Sequence, residues 1–211
     1  MAYEPIGESE VFEVMRTARS IRRYRPEPVP EEVVHRCLQA ATWAPSGGNQ
    51  QQWHFIRIES RPLRDILTAG AQRSWETMKS FYDIDVPAES DRSSRARTLR
   101  AMHRHMTTGA NVPVCILFCS EPQRGTSKLE QGASIFPAMQ NFLVAARAQG
   151  LGAAITLWHR LVEDELRPRL GIPDGWDIAA TLTAGWPEGR HGPLSRKPVE
   201  QVVSIDGWAR G

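Results

Sequence analysis

Apolar residues recur every three or four positions in several stretches of the chain, a spacing typical of amphipathic helices. Near the N-terminus Val11, Val14, Met15 and Ala18 follow it and predict a helix over about 9–18. Similar patterns predict further helices over about 30–43, 61–67, 94–108, 133–149 and 161–170. Because a proline deep inside a helix removes a backbone hydrogen bond, we expect Pro137 to lie near the first turn of its helix.

Shorter runs rich in β-branched and aromatic residues predict strands. These runs cover about 53–58, 112–120, 152–157 and 177–186. Residues 70–93 lose any periodicity and predict a long loop, and EQVVSI near the C-terminus is rich in β-forming residues. The mixed order of helices and strands predicts one α+β domain over residues 1–211, in layers around a small sheet.

The composition is that of an ordinary globular protein. Of the 211 residues, 41% are hydrophobic and 24% are charged, with a formal net charge of +2. Three cysteines without a C-x-x-C spacing indicate core thiols in a reducing compartment. We find neither a signal peptide nor an apolar run of the roughly 18 residues that a membrane span needs, so we expect a cytoplasmic protein with no membrane partner.

Three polar clusters stand apart from the core pattern, at residues 18–25, 44–53 and 193–198. Each follows or precedes a predicted element, where backbone amides are unpaired and side chains can converge on a ligand. Arginines in the first and third clusters suit a phosphate, because a guanidinium matches its oxygens in fork geometry. The serine and amides of the second suit a planar heterocycle. Together the clusters predict a ligand with a phosphate at one end and a ring at the other.

These clusters resemble the motifs of the FMN-dependent nitroreductases. The pattern R-S-x-R-x-[F/Y] is matched by Arg19, Ser20, Arg22 and Tyr24. The pattern A-P-S-x-x-N-x-Q-P-W is matched by Ala44, Pro45, Ser46, Asn49, Gln51 and Trp53. A G-L-G turn at 150–152 and an R-x-P at 196–198 follow in the same order. The resemblance covers nearly the whole chain.

The resemblance implies a site for each part of the flavin. Arg19, Ser20 and Arg22 would hold the phosphate and the pyrimidine edge, and Arg196 the phosphate, with Lys197 nearby. Contacts to the ring and ribityl chain would come from the second motif, at Pro45, Ser46, Asn49 and Gln51. A backbone N–H in the loop of Thr156 and Leu157, with Leu157 preferred, would point at flavin N5. No catalytic side chain is expected, because the cofactor carries the hydride chemistry.

The family's fold implies a three-layer α-β-α sandwich with a small, mainly antiparallel mixed sheet, in an interlocked homodimer. The flavin would lie at the dimer interface, and the C-terminal EQVVSI segment would pair with the partner's sheet. The family often carries an arginine where Ala18 stands and a proline where Gln52 stands. Ala18 removes one phosphate contact and Gln52 loosens the turn.

The implied activity is passage of hydride from NADPH or NADH through FMN to a small-molecule acceptor, such as a nitro compound or quinone. Two alternatives remain open: a protein that sequesters FMN without turnover, and an oxidase that uses reduced flavin and oxygen. We expect no metal site, because His103 and His105 point apart on a helix while Cys115 and Cys119 lie in a buried strand. The arginines of 92–104 lack a nucleic-acid motif, so we expect no nucleic-acid partner.

Overall fold

A computed structural model of the chain describes residues 8–122, 125, 127–189 and 191–208. Six α-helices lie in the described part: α1 (Glu8–Thr17), α2 (Glu31–Thr42), α3 (Arg61–Tyr82), α4 (Ser94–Thr108), α5 (Lys128–Ala148) and α6 (Glu163–Leu170). Four strands accompany them: β1 (Trp53–Arg57), β2 (Val114–Ser120), β3 (Gly152–Thr156) and β4 (Asp177–Gly185). Three short 3₁₀ turns span Gly47–Asn49, Trp158–Leu161 and Val199–Gln201. None of the described helices is long and apolar enough to cross a membrane.

The strands form a single sheet in the order β1-β2-β4-β3, and every neighbouring pair is antiparallel. Within the described residues, a single parallel contact is present, an isolated bridge between Ser20 and Ala153 on the outer edge of β3. The expectation of a small, mainly antiparallel sheet is therefore confirmed. β1 and β3 are the two edge strands. The second motif, which leads into β1, and the G-L-G turn, which leads into β3, therefore lie at opposite edges of the sheet.

The sheet lies between two layers of helices, as the resemblance implied. Side chains of β2 alternate between two cores, because successive residues of a strand face opposite sides of the sheet. One core packs Val114, Ile116 and Phe118 against α2 and α5, and the other packs Cys115 and Leu117 with parts of α3 and α6. A strand buried on both faces explains why this segment is apolar throughout. Cys37, Cys115 and Cys119 are free and buried.

The prediction of a short helix followed by a loop over 70–93 is wrong. Helix α3 runs on to Tyr82, and only residues 83–93 lie outside regular structure. Gly70, the first residue of that stretch, allows close packing of α3, since a Cβ there would come within 2.4 Å of the Trp158 carbonyl oxygen. Trp75, assigned to the loop by its sequence context, is buried on the same helical face as Leu67 and Ala71.

One further expectation fails, at helix α5. A capping box formed by Ser127 and Glu130 starts α5 earlier than predicted, so Pro137 lies in the helix interior rather than the first turn. Burial of α5 against α2 and the sheet offsets that cost, which is about 3 kcal/mol for an interior proline. The EQVVSI segment contributes a 3₁₀ turn and no strand within the described chain, and its pairing with a partner's sheet stays a prediction.

Candidate functional site

The segment after α1 lies along the outer edge of β3. The Ile21 backbone N–H donates to the Ala153 carbonyl oxygen at 3.0 Å, next to the bridge at Ser20. Gly152 makes this approach possible, because a Cβ at that position would come within 2.5 Å of the Ile21 side chain. The first motif and the G-L-G turn are therefore in direct contact.

A cavity of about 540 Å³ opens beside this segment. Three arginines line it, and no aspartate or glutamate is among the described residues of its wall. Its lining includes Ala18, Arg19, Ser20, Gln140, Arg147, Gly150, His191 and Arg196. A concave, positively charged surface without acidic residues is suited to an anion such as a phosphate. Arg19, Ser20 and Arg196 are thus brought together as the resemblance implied.

The three arginines are each tethered by one hydrogen bond. Arg19 Nη1 donates to the Gly192 carbonyl oxygen at 3.1 Å, and Arg196 Nη1 donates to the Ser195 carbonyl oxygen at 2.8 Å. Arg147 Nε donates to Thr17 Oγ1 at 2.9 Å. None of the three forms an ion pair with a carboxylate in the part of the chain that the structure describes. Their charges are therefore available to a ligand.

Arg22 is not among the residues that line this cavity. Its guanidinium is partly buried, and burial lowers its pKa. The nearby Tyr24 raises this pKa, and the charge of Arg19 lowers it further. The Tyr24 hydroxyl donates to the Ile21 carbonyl oxygen at 2.6 Å and contacts Thr183 Oγ1 at 3.0 Å. These contacts hold the extended segment of the first motif rigidly against β4.

Two histidines are buried on threonines of β4. His105 Nε2 lies 3.0 Å from Thr183 Oγ1, and His159 Nδ1 lies 3.1 Å from Thr181 Oγ1. Burial lowers the pKa of His105 to about 3, with a smaller contribution from the Arg22 charge, and lowers the pKa of His159 to about 4. Both imidazoles are therefore neutral at pH 7.

The second motif forms a tight exposed turn between α2 and β1. Ser46 Oγ accepts the Gln51 backbone N–H at 3.0 Å, and Pro45 precedes it at the surface. Asn49 and Gln51 have left-handed φ angles of 55° and 52°. Such a conformation costs a residue with a side chain roughly 1–2 kcal/mol. Strain at an exposed turn points to a function that depends on its shape.

The turn and the cavity lie at opposite corners of the sheet. Trp53 is level with Asp177 of β4, whereas Ala153 is level with Ala184, seven residues further along. Three strand spacings and seven residues correspond to about 14 Å across the sheet and about 23 Å along it. Pro45, Ser46, Asn49 and Gln51 are not among the residues that line the cavity. A single chain does not bring the two halves of the expected site together.

The remaining predicted residues lie outside the cavity wall. Thr156 ends β3, and its Oγ1 donates to the Thr181 carbonyl oxygen at 3.0 Å. Leu157 follows with half of its surface exposed, immediately before a 3₁₀ turn. Lys197 is exposed next to Arg196. Leu157 is thus accessible to a ligand at the end of the sheet where Trp53 also lies.

The sequence interpretation missed Arg147 and Gln140. Both belong to α5, where Gln140, Leu143 and Arg147 follow one helical stripe that faces the cavity. The spacing was visible in the sequence, but nothing in it identified this stripe as facing a ligand. Only the packing of α5 beside the end of α1 reveals it.

Comparison with known proteins agrees with these motifs. The Nitroreductase family profile matches residues 15–186. The chain is 26% identical over 198 residues to the 5,6-dimethylbenzimidazole synthase of Rhodospirillum rubrum, covering 90% of this chain and 84% of that protein. It is 26% identical over 204 residues to an NADH dehydrogenase of Thermus thermophilus, covering 88% and 90%.

A solved structure extends the comparison to the fold. A Desulfovibrio desulfuricans protein described as a nitroreductase, in complex with FMN, superimposes with a TM-score of 0.69 and 27% identity. The match covers 96% of this chain and 99% of that one. Because the family profile spans most of the chain and includes the strained turn together with Arg19 and Arg147 of the cavity, this protein belongs to the nitroreductase family.

Proposed function

We propose that this protein is an FMN-dependent oxidoreductase that takes its electrons from NADH or NADPH. The cavity that holds Arg19, Arg147 and Arg196 without an acidic residue among its described lining is the observation that carries the proposal. The donors suit a phosphate, and the exposed turn of the second motif offers serine and amide groups to a ring and sugar chain. The FMN in a related structure at 27% identity supports the same cofactor.

Bound FMN would supply the redox chemistry, accepting hydride from the nicotinamide and passing it to a nitro compound, quinone or similar acceptor. The chain's own residues bind and orient. Arg19 and Arg196 would hold the phosphate, and Ser20, which lines the same cavity, would contact the pyrimidine edge. Arg22, whose partly buried charge faces Tyr24 and His105, stabilises negative charge at that edge. The Leu157 backbone N–H would be the donor toward the flavin ring.

We propose further that two copies of the chain complete the site. Since the turn and the cavity lie at opposite corners of one sheet, the turn of a second copy must approach the cavity of the first. The C-terminal segment is suited to hold such a pair, because its apolar side chains have no cover in one chain. Val202, Val203, Ile205 and Trp208 are 65%, 57%, 88% and 94% exposed. Apolar exposure on this scale favours an interface.

A second candidate is synthesis of 5,6-dimethylbenzimidazole, favoured by the similarity to the enzyme of that name over 90% of this chain. This candidate corresponds to the alternative from the sequence in which the enzyme uses reduced flavin and oxygen. Aerobic incubation of reduced, FMN-loaded protein followed by chromatography separates the candidates. Loss of FMN with appearance of the benzimidazole supports the synthase, and intact FMN supports the reductase.

The proposed function is tested by the colour of the purified protein. We expect a flavin absorption spectrum and release of a cofactor with the mass of FMN. Anaerobic NADH or NADPH should then bleach the flavin, and a nitroaromatic or a quinone should restore it. A colourless protein that stays colourless with added FMN would refute the proposal, and colour that persists with both nucleotides would support sequestration.

A further inference from the structure

We propose that Arg147 is a phosphate-binding residue of this site. It replaces the arginine that the family often carries at the position of Ala18. The inference rests on the proposed FMN function and assigns a residue that no sequence motif indicated. Ala18 and Arg147 line the same cavity, one from the segment after α1 and the other from the last turn of α5. A guanidinium from a different element therefore enters the cavity that position 18 also lines.

The hydrogen bonds of Thr17 fix this guanidinium at the cavity. The Thr17 hydroxyl donates to the Glu13 carbonyl oxygen at 2.7 Å, which leaves its lone pairs to accept from Arg147 Nε at 2.9 Å. Thr17 is the residue before Ala18, so the bond ties Arg147 to the neighbourhood of position 18. Held through Nε, the guanidinium keeps its two terminal nitrogens for a ligand, which is the geometry of a bidentate phosphate contact.

The charges in the cavity support the same conclusion. Arg19, Arg147 and Arg196 share one wall without a described carboxylate, and like charges brought together repel unless an anion joins them. A phosphate monoester carries about −1.5 to −2 charge at pH 7 and offers three acceptor oxygens, which three guanidinium groups can satisfy. A basic residue in the last turn is also favoured by the helix dipole. That effect alone would leave Arg147 in solvent and explains neither its bond to Thr17 nor its position in the wall.

The experiment compares FMN with riboflavin, which lacks the phosphate. In the apoprotein titrated by flavin fluorescence, Arg147→Gln should weaken FMN binding about 10- to 100-fold, as expected for one charge-assisted hydrogen-bonding group. Riboflavin binding should be unchanged. Arg16→Gln is the matched control: Arg16 is exposed, pairs with Glu13 at 2.6 Å, and is not among the lining residues. This control should bind both flavins as the wild type does.

Two further variants separate a direct role of Arg147 in phosphate binding from a structural one. Adding Ala18→Arg to Arg147→Gln should restore the preference for FMN over riboflavin, because a guanidinium returns to the same cavity. Thr17→Val should lower that preference less than Arg147→Gln, because it frees the guanidinium without removing its charge. The inference is overturned if Arg147→Gln leaves the preference intact, or weakens both flavins equally. A wild-type apoprotein that binds neither flavin would instead overturn the proposed function, and this inference with it.

Discussion

Gly152 is the position where a single methyl group should disturb both the fold and the candidate site. A Cβ there would lie 2.5 Å from the Ile21 Cβ and 2.6 Å from its Cγ2, where ordinary contacts are 3.4–4 Å. Ile21 cannot move aside easily, since its side chain is buried and its backbone N–H is bonded to the Ala153 carbonyl oxygen. Gly152→Ala must therefore push the segment of Arg19 and Ser20 away from β3.

The size of the effect follows from this overpacking. Adding a methyl group to a packed contact costs about 1–3 kcal/mol, so we expect the apoprotein to lose that much free energy of unfolding. Displacement of Arg19 and Ser20 should also raise the dissociation constant of FMN by about tenfold, equivalent to 1.4 kcal/mol. Ile21→Ala makes room for the new methyl group but itself costs about 2–5 kcal/mol, because Ile21 is buried. The double variant should therefore lose less stability than the sum of the two single changes.

Urea unfolding of the apoprotein and fluorescence titration with FMN measure the two effects separately. Gly109→Ala is the matched control, because its Cβ would come within 2.6 Å of Thr68, away from the cavity, at a φ of +57°. It should destabilise the fold without changing the affinity for FMN. Wild-type stability and affinity in Gly152→Ala, or simple additivity of the two changes in the double variant, would refute the reasoning.

Three other predictions concern the acid response, a partly buried arginine and the C-terminus. The pKa values of His105 and His159 are lowered to about 3 and about 4, so the folded protein favours the neutral imidazoles. Their contribution to the free energy of unfolding is complete above about pH 6.5 and is lost as the pH falls. Urea unfolding between pH 7 and 5 should therefore show a loss of up to about 1.4 kcal/mol per pH unit for each histidine, and His105→Gln should flatten this slope. Arg64 donates to the carbonyl oxygens of Ile58, Ala110 and Val112. Arg64→Met should therefore lower the free energy of unfolding in urea by about 2–4 kcal/mol. The control Arg61→Met removes only an exposed ion pair with Asp65 and should cost under about 1 kcal/mol. Deleting residues 199–211 should give a monomer in light scattering; a stable dimer of the shortened chain would contradict the assigned role of that segment.

The sequence predicted the elements whose pattern is set locally. The helix over 94–108 has the predicted bounds, and β2 was recognised from its uninterrupted apolar run. The sequence predicts a helix over 61–67 only, whereas α3 continues to Tyr82 with Gly70 packed against the backbone of Trp158, far away in the chain. Close packing between distant elements does not change the spacing of hydrophobic residues along one segment, so it cannot be predicted from that spacing.

The candidate site divides in the same way. Arg19, Ser20 and Arg196 could be predicted because they sit in recognisable motifs, and the structure brings them to one cavity. Arg147 could not, since a basic residue in the last turn of a helix is common for reasons unrelated to a ligand. Nor could the sequence reveal that the turn near Asn49 lies at the far corner, which depends on the strand order.

The separation of the turn from the cavity has a genetic consequence if two copies assemble as proposed. Each site takes its cationic half from one subunit and its strained turn from the other. When a subunit defective at Arg19 pairs with one defective at Asn49, both defects fall in the same site. The other site is entirely wild type, so two inactive alleles of this gene would complement each other in a mixed dimer.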